Sequence, residues 1–307
     1  MRYVAVLNSH GGTLRTMDLE AFGARAVEIF TRHGHQLECR VVAGGDIAQA
    51  LLDAANSPGV EAILAGGGDG TISSAADVAF RKKLPLAVLP AGTMNLFARA
   101  LKLPLDLEQA LEALAGGEVT GIDIATANGR PFVHQFGVGV HARLVRIRET
   151  ITYRSRLGKM FASLRAIVST IIRPPDFAVE IHTRRGREQR RASGIAISNN
   201  PIGEGHIPYA NALDGGVLGV YVAAPMSAWA LARLAFDVFR GHWRDSPMVW
   251  ESELQELLLR FPKRKHNAQA VVDGELIDLA REVVLRVHPG ALLVVVPKSE
   301  TPVAVAA

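Results

Sequence analysis

Short apolar runs alternate with helical patterns through the first 120 residues of the chain. The apolar runs are YVAVLN, LECRVV, VEAILA and LPLAVLP, and a stretch with helical spacing follows each of them. Runs without polar alternation are typical of parallel strands that are covered on both faces. We therefore predict a doubly wound α/β domain over residues 1–122.

The pattern changes near Gly121 to alternating runs that are separated by turn signals. GIAISNN, AVVDGELIDL and EVVLRVHPGALLVVV resemble strands of an antiparallel sandwich, and helical patterns interrupt them near 155–173 and 227–240. We predict a mostly β second domain over residues 123–307. We leave open that its extreme C-terminus packs back on the first domain.

Composition fits two domains in a reducing compartment. An apolar content of 49% over 307 residues can fill two cores. Cys39 is the only cysteine, and the N-terminus has no signal-peptide pattern, so we expect a cytoplasmic setting. The longest mostly apolar stretch, residues 160–172, contains Arg165 and is shorter than the roughly 20 residues that span a bilayer. We expect no segment to cross a membrane.

Basic residues are concentrated in two clusters of the second half, although the net charge is only +4. The first cluster contains Arg143, Arg146, Arg148, Arg154, Arg156, Lys159 and Arg165, and the second contains Arg184, Arg185, Arg187, Arg190 and Arg191. Such clusters suit phosphates, a lipid headgroup surface or nucleic acid. A solvated protein face is the alternative.

The segment GGGDGT, residues 66–71, follows the apolar run VEAILA and precedes a helical pattern. We expect it to form a loop at the carboxyl end of a strand, where open α/β sheets bind ligands. Glycines there let backbone N–H groups approach a polyphosphate, and the helix N-terminus favours an anion. Asp69 would repel phosphate unless Mg²⁺ lies between them. The alternative is a glycine turn in which Asp69 caps the helix.

A second segment of this kind, LPAGTMNLFARALKLP, follows the next strand. Gly92 and Thr93 offer backbone donors and a hydroxyl, and Asn95 opens a helical pattern. Because neighbouring parallel strands end at one edge of the sheet, the two loops predict a single anion cradle.

Four separated motifs resemble the diacylglycerol kinase catalytic domain family, which includes bacterial lipid kinases and sphingosine and ceramide kinases. They are LNSHGG, GGGDGT, LPAGTMNLFARAL and QAVVDGELIDL, and they occur in the family's order. The resemblance implies an NAD kinase/diacylglycerol kinase-like fold that binds ATP and Mg²⁺ in a cleft between two domains. It implies nucleotide contacts at Asn8, Gly66, Gly67, Gly68, Asp69, Gly70, Thr71, Gly92, Thr93 and Asn95.

The resemblance also implies roles for acidic residues. Asp273 takes the place of the general base, with Glu275 in support and Asp69 as the third catalytic residue. Asp69, Asp123 and Asp214 take the places of metal-linked acids. The alternative for Asp273 is a hairpin turn alone. Since asparagine also forms that turn, we expect Asp273→Asn to leave stability almost unchanged.

Several positions depart from the family pattern. Ser73, Ser74 and Leu96 stand where the family often has acidic or amide residues, which leaves the level of activity open. Gly215 and Gly219 replace two acids of a further motif, so that only Asp214 remains for a second, structural Mg²⁺ site.

The resemblance implies an ATP-dependent lipid kinase that transfers the γ-phosphate to the hydroxyl of diacylglycerol or a related lipid alcohol. The open alternatives are a soluble-substrate kinase of NAD kinase type and an inactive nucleotide- or lipid-binding regulator. The expected partners are the lipid alcohol and a membrane surface bound peripherally. We do not expect nucleic acid as a partner, and we leave a homodimer open. The sequence does not name the lipid.

Overall fold

The computed structural model describes residues 1–150, 174–203, 209–239, 246–264 and 266–298. The chain divides into two compact units. Unit 1 contains Met1–Ile122 and the residues from Gly290 onward, and unit 2 contains Asp123–Pro289. The helical pattern near 155–173 and the apolar stretch 160–172 lie outside the described residues. So do four members of the first basic cluster, Arg154, Arg156, Lys159 and Arg165.

Unit 1 is an α/β domain, as predicted. Its elements are β1 (Arg2–Asn8), α1 (Leu19–Arg32), β2 (Gln36–Val42), α2 (Ile47–Ala55), β3 (Ala62–Gly67), α3 (Asp69–Lys82), β4 (Leu86–Pro90), α4 (Leu96–Ala100) and α5 (Leu107–Ala115). Short 3₁₀ turns lie at Gly12–Thr16 and Gly44–Asp46. The strands are parallel in the order β2-β1-β3-β4, so β1, β3 and β4 end side by side at one edge.

Local sequence explains where the helices of unit 1 begin and how they pack. The side chain of Asp18 accepts hydrogen bonds from the N–H groups of the first turn of α1, and Asp106 does the same for α5. All residues of β3 and β4 are buried, which accounts for their uninterrupted apolar pattern. Phe30 of α1 contacts Tyr3 of β1 edge to face at 4.9 Å between ring centroids.

Unit 2 is mostly antiparallel β, again as predicted. Its elements are β5 (Glu118–Ala127), β6 (Arg130–Phe132), β7 (Gln135–Gly139), α6 (Val140–Thr150), β8 (Phe177–Thr183), β9 (Gly186–Ala192), β10 (Gly194–Asn199), β11 (Leu218–Ala223), α7 (Ala228–Phe239), β12 (Val249–Leu254), β13 (Glu256–Arg260), β14 (Gln269–Val272), β15 (Glu275–Asp278) and β16 (Glu282–Val296). The first residues of β5 and the last residues of β16 belong to unit 1.

Two groups of strands enclose the core of unit 2. One sheet has the order β12-β11-β10-β7-β14-β15, and the other strands pair in the order β16-β13-β8-β9 with β5 and β6 alongside β16. Phe132, Phe136, Ile195 and Leu285 are among the buried side chains between them. The residue alternation that predicted a sandwich corresponds to one buried face in the first half of β16, whereas β11 is buried at five consecutive residues.

The helix predicted near 227–240 is α7. Its first turn is stabilised by Ser227, whose hydroxyl accepts a hydrogen bond from the N–H of Ala230 at 3.2 Å. Neither α7 nor any other helix in the described ranges has the length and apolar character that would be needed to cross a bilayer.

Candidate functional site

The junction between β3 and α3 is tighter than the sequence predicts. The strand continues through Gly66 and Gly67, and the helix begins at Asp69, so Gly68 alone connects them. The prediction of a loop over residues 66–71 is wrong in its extent. A Cβ atom at Gly66 would lie 2.7 Å from Leu7 Cδ2, and one at Gly67 would lie 2.6 Å from Thr71 Cβ. The two glycines are therefore needed for close packing where the strand meets the helix.

Asp69 links this junction to the second loop. Its Oδ1 atom accepts a hydrogen bond from the backbone N–H of Leu96 at 2.7 Å. The carboxylate thus caps the N-terminus of the short helix α4 while its own backbone begins α3. Because Leu96 contributes only its N–H group to this contact, the side chain at position 96 does not determine it.

The second loop is shaped by Asn95, which has a left-handed backbone with φ of 50°. Its Oδ1 accepts from the N–H of Gly92 at 2.8 Å, and its Nδ2 donates to the carbonyl of Gly92 at 3.0 Å. A Cβ atom at Gly92 would lie only 2.6 Å from the Cα of Gly68. The two glycine segments therefore touch through bare backbone, and the neighbouring Thr93 is exposed.

The end of β1 joins the same cluster. Asn8 Nδ2 donates to Thr71 Oγ1 at 3.0 Å, and Asn8 Oδ1 accepts from the N–H of His10 at 3.0 Å. The backbone N–H of Thr13 donates to the carbonyl of Ala91 at 2.9 Å. Gly12, with φ of 31°, packs so closely on Ala91 that a side chain would clash with it. Three loops, one from each neighbouring strand, are thus joined by direct hydrogen bonds.

This glycine cluster has the chemistry of an anion site with one carboxylate. The first N–H groups of α3 have no partner within the helix, and the helix dipole adds positive potential there. Glycine backbone without side chains leaves room for a polyphosphate. In the parts of the chain that the structure describes, no three His, Cys, Asp or Glu side chains are arranged to hold a metal ion. Mg²⁺ commonly binds one or two carboxylates together with substrate phosphates, so Asp69 fits that kind of site.

In unit 2, Asp273 forms the predicted hairpin turn and also makes contacts that the sequence did not predict. With φ of 48° at Asp273 and 86° at Gly274, the turn is of type I′ between β14 and β15. Asp273 Oδ2 accepts from the N–H of Val133 at 2.9 Å. Asp273 Oδ1 accepts from the N–H groups of His134 at 2.9 Å and Gln135 at 3.0 Å. The carboxylate therefore fastens the hairpin to the turn between β6 and β7.

This geometry argues against the expectation that Asp273→Asn leaves stability unchanged, and it favours a loss instead. Both carboxylate oxygens face backbone donors, whereas an amide offers only one acceptor oxygen and directs its NH₂ group at a donor. Glu275 is different, because its side chain is 70% exposed and pairs with Arg130 at 2.6 Å.

Asp123 is buried and holds the loop that contains Asp214. Asp123 Oδ2 accepts from the N–H of Gly216 at 2.6 Å, and its backbone N–H donates to the carbonyl of Leu213 at 2.7 Å. Asp214 itself is exposed. The structure therefore brings two of the predicted metal-linked acids to neighbouring positions within unit 2.

Two asparagines that the sequence analysis did not select lie beside Asp123. Asn199 Nδ2 donates to the carbonyl of Asp123, and the N–H of Asn199 donates to the carbonyl of His134, both at 2.9 Å. Asn200 Oδ1 accepts from the N–H of Gly215 at 3.0 Å. Both asparagines are buried, yet Asn199 Oδ1 and Asn200 Nδ2 have no hydrogen-bond partner among the residues that the structure describes. The sequence feature that could have pointed to these two residues is the pair of amides directly after the apolar run GIAIS.

Comparison with known proteins agrees with the fold and with the motifs of unit 1. Residues 2–127 match the family model of the diacylglycerol kinase catalytic domain. A "Probable lipid kinase YegS-like" from Cronobacter sakazakii is 35% identical over 37% of this chain and 40% of its own length. A protein of the same description from Klebsiella pneumoniae is 36% identical over 34% of this chain and 36% of its own length. The match thus spans well under half of these relatives.

A crystal structure of a diacylglycerol kinase from Bacillus anthracis str. Sterne superposes with a TM-score of 0.70 over 97% of both chains, at 18% identity. This likeness shows a shared fold over nearly the whole chain. The N-terminal part, residues 2–127, is thus similar to the diacylglycerol kinase catalytic domain family.

Proposed function

We propose that this protein is an ATP-dependent lipid kinase that transfers the terminal phosphoryl group of ATP to the hydroxyl of diacylglycerol or a related lipid alcohol. The observation that carries the proposal is the backbone contact between Gly68 and Gly92, with Asp69 linking the same two loops. Such a side-chain-free surface at the ends of parallel strands suits a polyphosphate better than a neutral small molecule.

The residues of unit 1 would bind the nucleotide. The N–H groups at the start of α3 face phosphate oxygens in this proposal, and Asn8 holds Thr71 in place for the same purpose. The N–H of Gly92 donates to Asn95 Oδ1, so Gly92 contributes space for the phosphates and not a donor. Asp69 would hold Mg²⁺, which neutralises charge on the phosphate oxygens when it is bound. Since phosphoryl transfer depends mainly on positioning and charge neutralisation, these contacts account for most of the rate expected.

The acceptor side of the reaction is assigned to unit 2. The lipid hydroxyl oxygen forms a bond to the γ-phosphorus, the bond from that phosphorus to the bridging oxygen breaks, and ADP leaves. The hydroxyl proton passes to Asp273, whose orientation is fixed by three backbone donors, and Glu275 supports the site. Asp123 and Asp214 complete the acidic set, with Asp123 holding the loop that carries Asp214.

A lipid alcohol with long acyl chains lies in a bilayer, so the proposed function needs a membrane surface as a partner. Part of the second arginine cluster is unsuited to this task, because its charges are compensated within unit 2. Arg187, Arg190 and Arg191 pair with Glu180, Glu188 and Asp176. Arg190 also lies 4.4 Å from the ring centroid of Trp250. Peripheral attachment in a cytoplasmic setting remains our proposal for location.

The proposal is tested by incubating the full chain with Mg²⁺ and γ-labelled ATP and separating the products. Diacylglycerol, a sphingoid base and ceramide are offered in mixed micelles, and NAD is offered in solution. We expect label in a lipid phosphate. Label in NADP would instead indicate a kinase of NAD kinase type, and ATP binding without any labelled product would indicate a regulator.

A further inference from the structure

The outer face of α7 exposes two aromatic side chains and one basic side chain. Trp229 is 72% exposed and Phe236 is 57% exposed, which makes them the two most exposed large apolar residues of the described chain. Ala232 and Arg233 between them are exposed as well. With 3.6 residues per turn, these four positions lie within about 100° of one another around the helix axis. We call them the α7 outer face.

The opposite side anchors α7 to unit 2. Leu231 is buried at 7% exposure, and Met226 just before the helix is buried at 9%. The N–H of Met226 donates to Ser193 Oγ at 3.1 Å, which ties the start of the helix to the residue that follows β9. The outer face is therefore presented on a fixed support, and its exposure does not result from a detached helix.

The small side chain of Ala232 leaves the two aromatic rings as the most prominent groups of this face. A helix that presents aromatic residues on one side and is anchored by the other is suited to lie in the plane of a lipid headgroup layer. Tryptophan in particular is favoured at the headgroup level, because its ring is apolar while its N–H group can meet water or a phosphate.

The charge of Arg233 and the net charge of the chain favour an anionic lipid layer as the binding partner of the α7 outer face. The Nε atom of Arg233 lies 3.9 Å from Asp237 Oδ2, and the Arg233 side chain remains 70% exposed. This contrasts with Arg187, Arg190 and Arg191, whose acidic partners lie within 2.7 Å. Arginine on such a helix can extend to lipid phosphates. The net charge of +4 also attracts the chain to an anionic surface, whereas it opposes contact with a second copy.

We propose that the α7 outer face is the surface through which this protein docks on anionic bilayers. Trp229 and Phe236, about 10 Å apart along the axis, insert at the interface, and Arg233 contacts lipid phosphates. Insertion of only two aromatic side chains makes this docking reversible. The inference rests on and deepens the proposed lipid kinase function, but the docking itself needs neither ATP nor turnover.

The test is co-sedimentation of the full chain with sucrose-loaded vesicles, without ATP. Vesicles of phosphatidylcholine alone are compared with vesicles that contain about one third phosphatidylglycerol. Trp229→Ser should lower the partition coefficient about tenfold. Trp229→Phe, which keeps an aromatic ring, should stay within about threefold of the parent. Leu52→Ser, at a 39% exposed position on α2, is the matched control and should bind like the parent.

Charge is tested with two matched single variants. Arg233→Gln should lower binding to the anionic vesicles about fivefold, since an arginine near such a surface contributes roughly that factor. Its binding to phosphatidylcholine alone should change less. Arg185→Gln, on the exposed tip of the β8–β9 hairpin, should leave binding to both kinds of vesicle close to that of the parent. If Arg185→Gln lost more binding to anionic vesicles than Arg233→Gln, the proposal would be wrong and the β8–β9 hairpin would be the docking surface.

Two further outcomes would also overturn it. If Trp229→Ser binds vesicles as well as the parent does, Trp229 does not contact the bilayer and the proposal is wrong. A parent dimer that becomes monomeric in the α7 variants, seen by light scattering, assigns the face to a second copy of the chain. Turnover of a water-soluble short-chain diacylglycerol is measured in parallel. If Trp229→Ser turns over this substrate but no longer binds vesicles, docking is separate from chemistry. If the parent does not turn it over, the kinase function is contradicted while the docking proposal is unaffected.

Discussion

The carboxylate of Asp69 accepts a hydrogen bond from the backbone N–H of Leu96 at 2.7 Å, although the two residues are 27 positions apart. One residue therefore starts α3 with its backbone and caps α4 with its side chain, which links the two glycine loops directly. This contact gives Asp69 a structural task in addition to the metal-binding role proposed for it. The two tasks can be separated because only the second one needs a negative charge.

Asp69→Asn should preserve the fold and abolish most activity. The amide oxygen can still accept from Leu96, so the free energy of unfolding should change by no more than about 1 kcal/mol. Loss of the charge should lower the rate with Mg²⁺ and ATP by about 100-fold. Thermal melts and initial rates over a Mg²⁺ titration check both statements. Asp77→Asn, on the exposed part of the same helix, is the control, and an unaltered Mg²⁺ dependence in Asp69→Asn would leave Asp69 a structural role only.

Gly68→Ala and Gly92→Ala should separate ligand binding from folding. A Cβ at Gly68 has its nearest neighbour at 3.7 Å, so the variant should melt like the parent while its added methyl group lowers ATP affinity about tenfold. A Cβ at Gly92 would lie 2.6 Å from the backbone of Gly68 and should lower the free energy of unfolding by about 1–3 kcal/mol.

Calorimetric titration with ATP and thermal melts provide the measurements for this glycine pair. Gly45→Ala serves as a control, because no atom lies within 4 Å of the Cβ position. If Gly68→Ala lost stability in proportion to affinity, Gly68 would be a turn residue without a part in nucleotide binding.

Asp273→Asn should lower both stability and turnover. An amide cannot accept hydrogen bonds from Val133 and from His134 with Gln135 at once, so we expect a loss of about 1–3 kcal/mol in urea unfolding. If Asp273 is the base, kcat should also fall by about 10² to 10⁴-fold at a temperature where the variant is fully folded.

Glu275→Gln is the matched variant for that experiment, because it lies in the same hairpin and makes a single exposed ion pair. Its unfolding curve should coincide with that of the parent. Should folded Asp273→Asn turn over lipid at close to the parental rate, Asp273 would only fasten the hairpin, and the base would have to be sought elsewhere.

Cys39 should react slowly with thiol reagents in the native protein. Burial raises the pKa of its thiol from 9.0 to about 11, so very little reactive thiolate exists near neutral pH. We expect Ellman's reagent to modify native protein at least about 100-fold more slowly than protein in urea. Because the native pKa is the higher one, the contribution of this thiol to stability is fully present below the unfolded pKa of 9.0 and is lost as the pH rises through about 11. If Ellman's reagent modified Cys39 equally fast in native protein and in urea, the burial of the thiol would be contradicted.

Much of the architecture was predictable because it depends on local patterns. Uninterrupted apolar runs predicted β3 and β4, and their complete burial between helices is the physical reason for that pattern. The Asp-Gly pair at 273 and 274 predicted a two-residue hairpin, because both positions need positive φ. Helix α6 was not predicted, since its arginine-rich sequence lacks a clear apolar face.

The sequence by itself determined the two fold types, the order of the elements and the glycine-rich segments of the candidate site. Only the tertiary structure decided what the polar side chains at those segments contact. Asp69 meets an N–H group 27 residues away, Asp273 meets three donors about 140 residues away, and Asn199 reaches Asp123 across 76 positions. Such pairs leave no periodic trace in the sequence, because hydrogen-bond partners between distant strand ends are set by sheet order, and sheet order is a property of the folded chain.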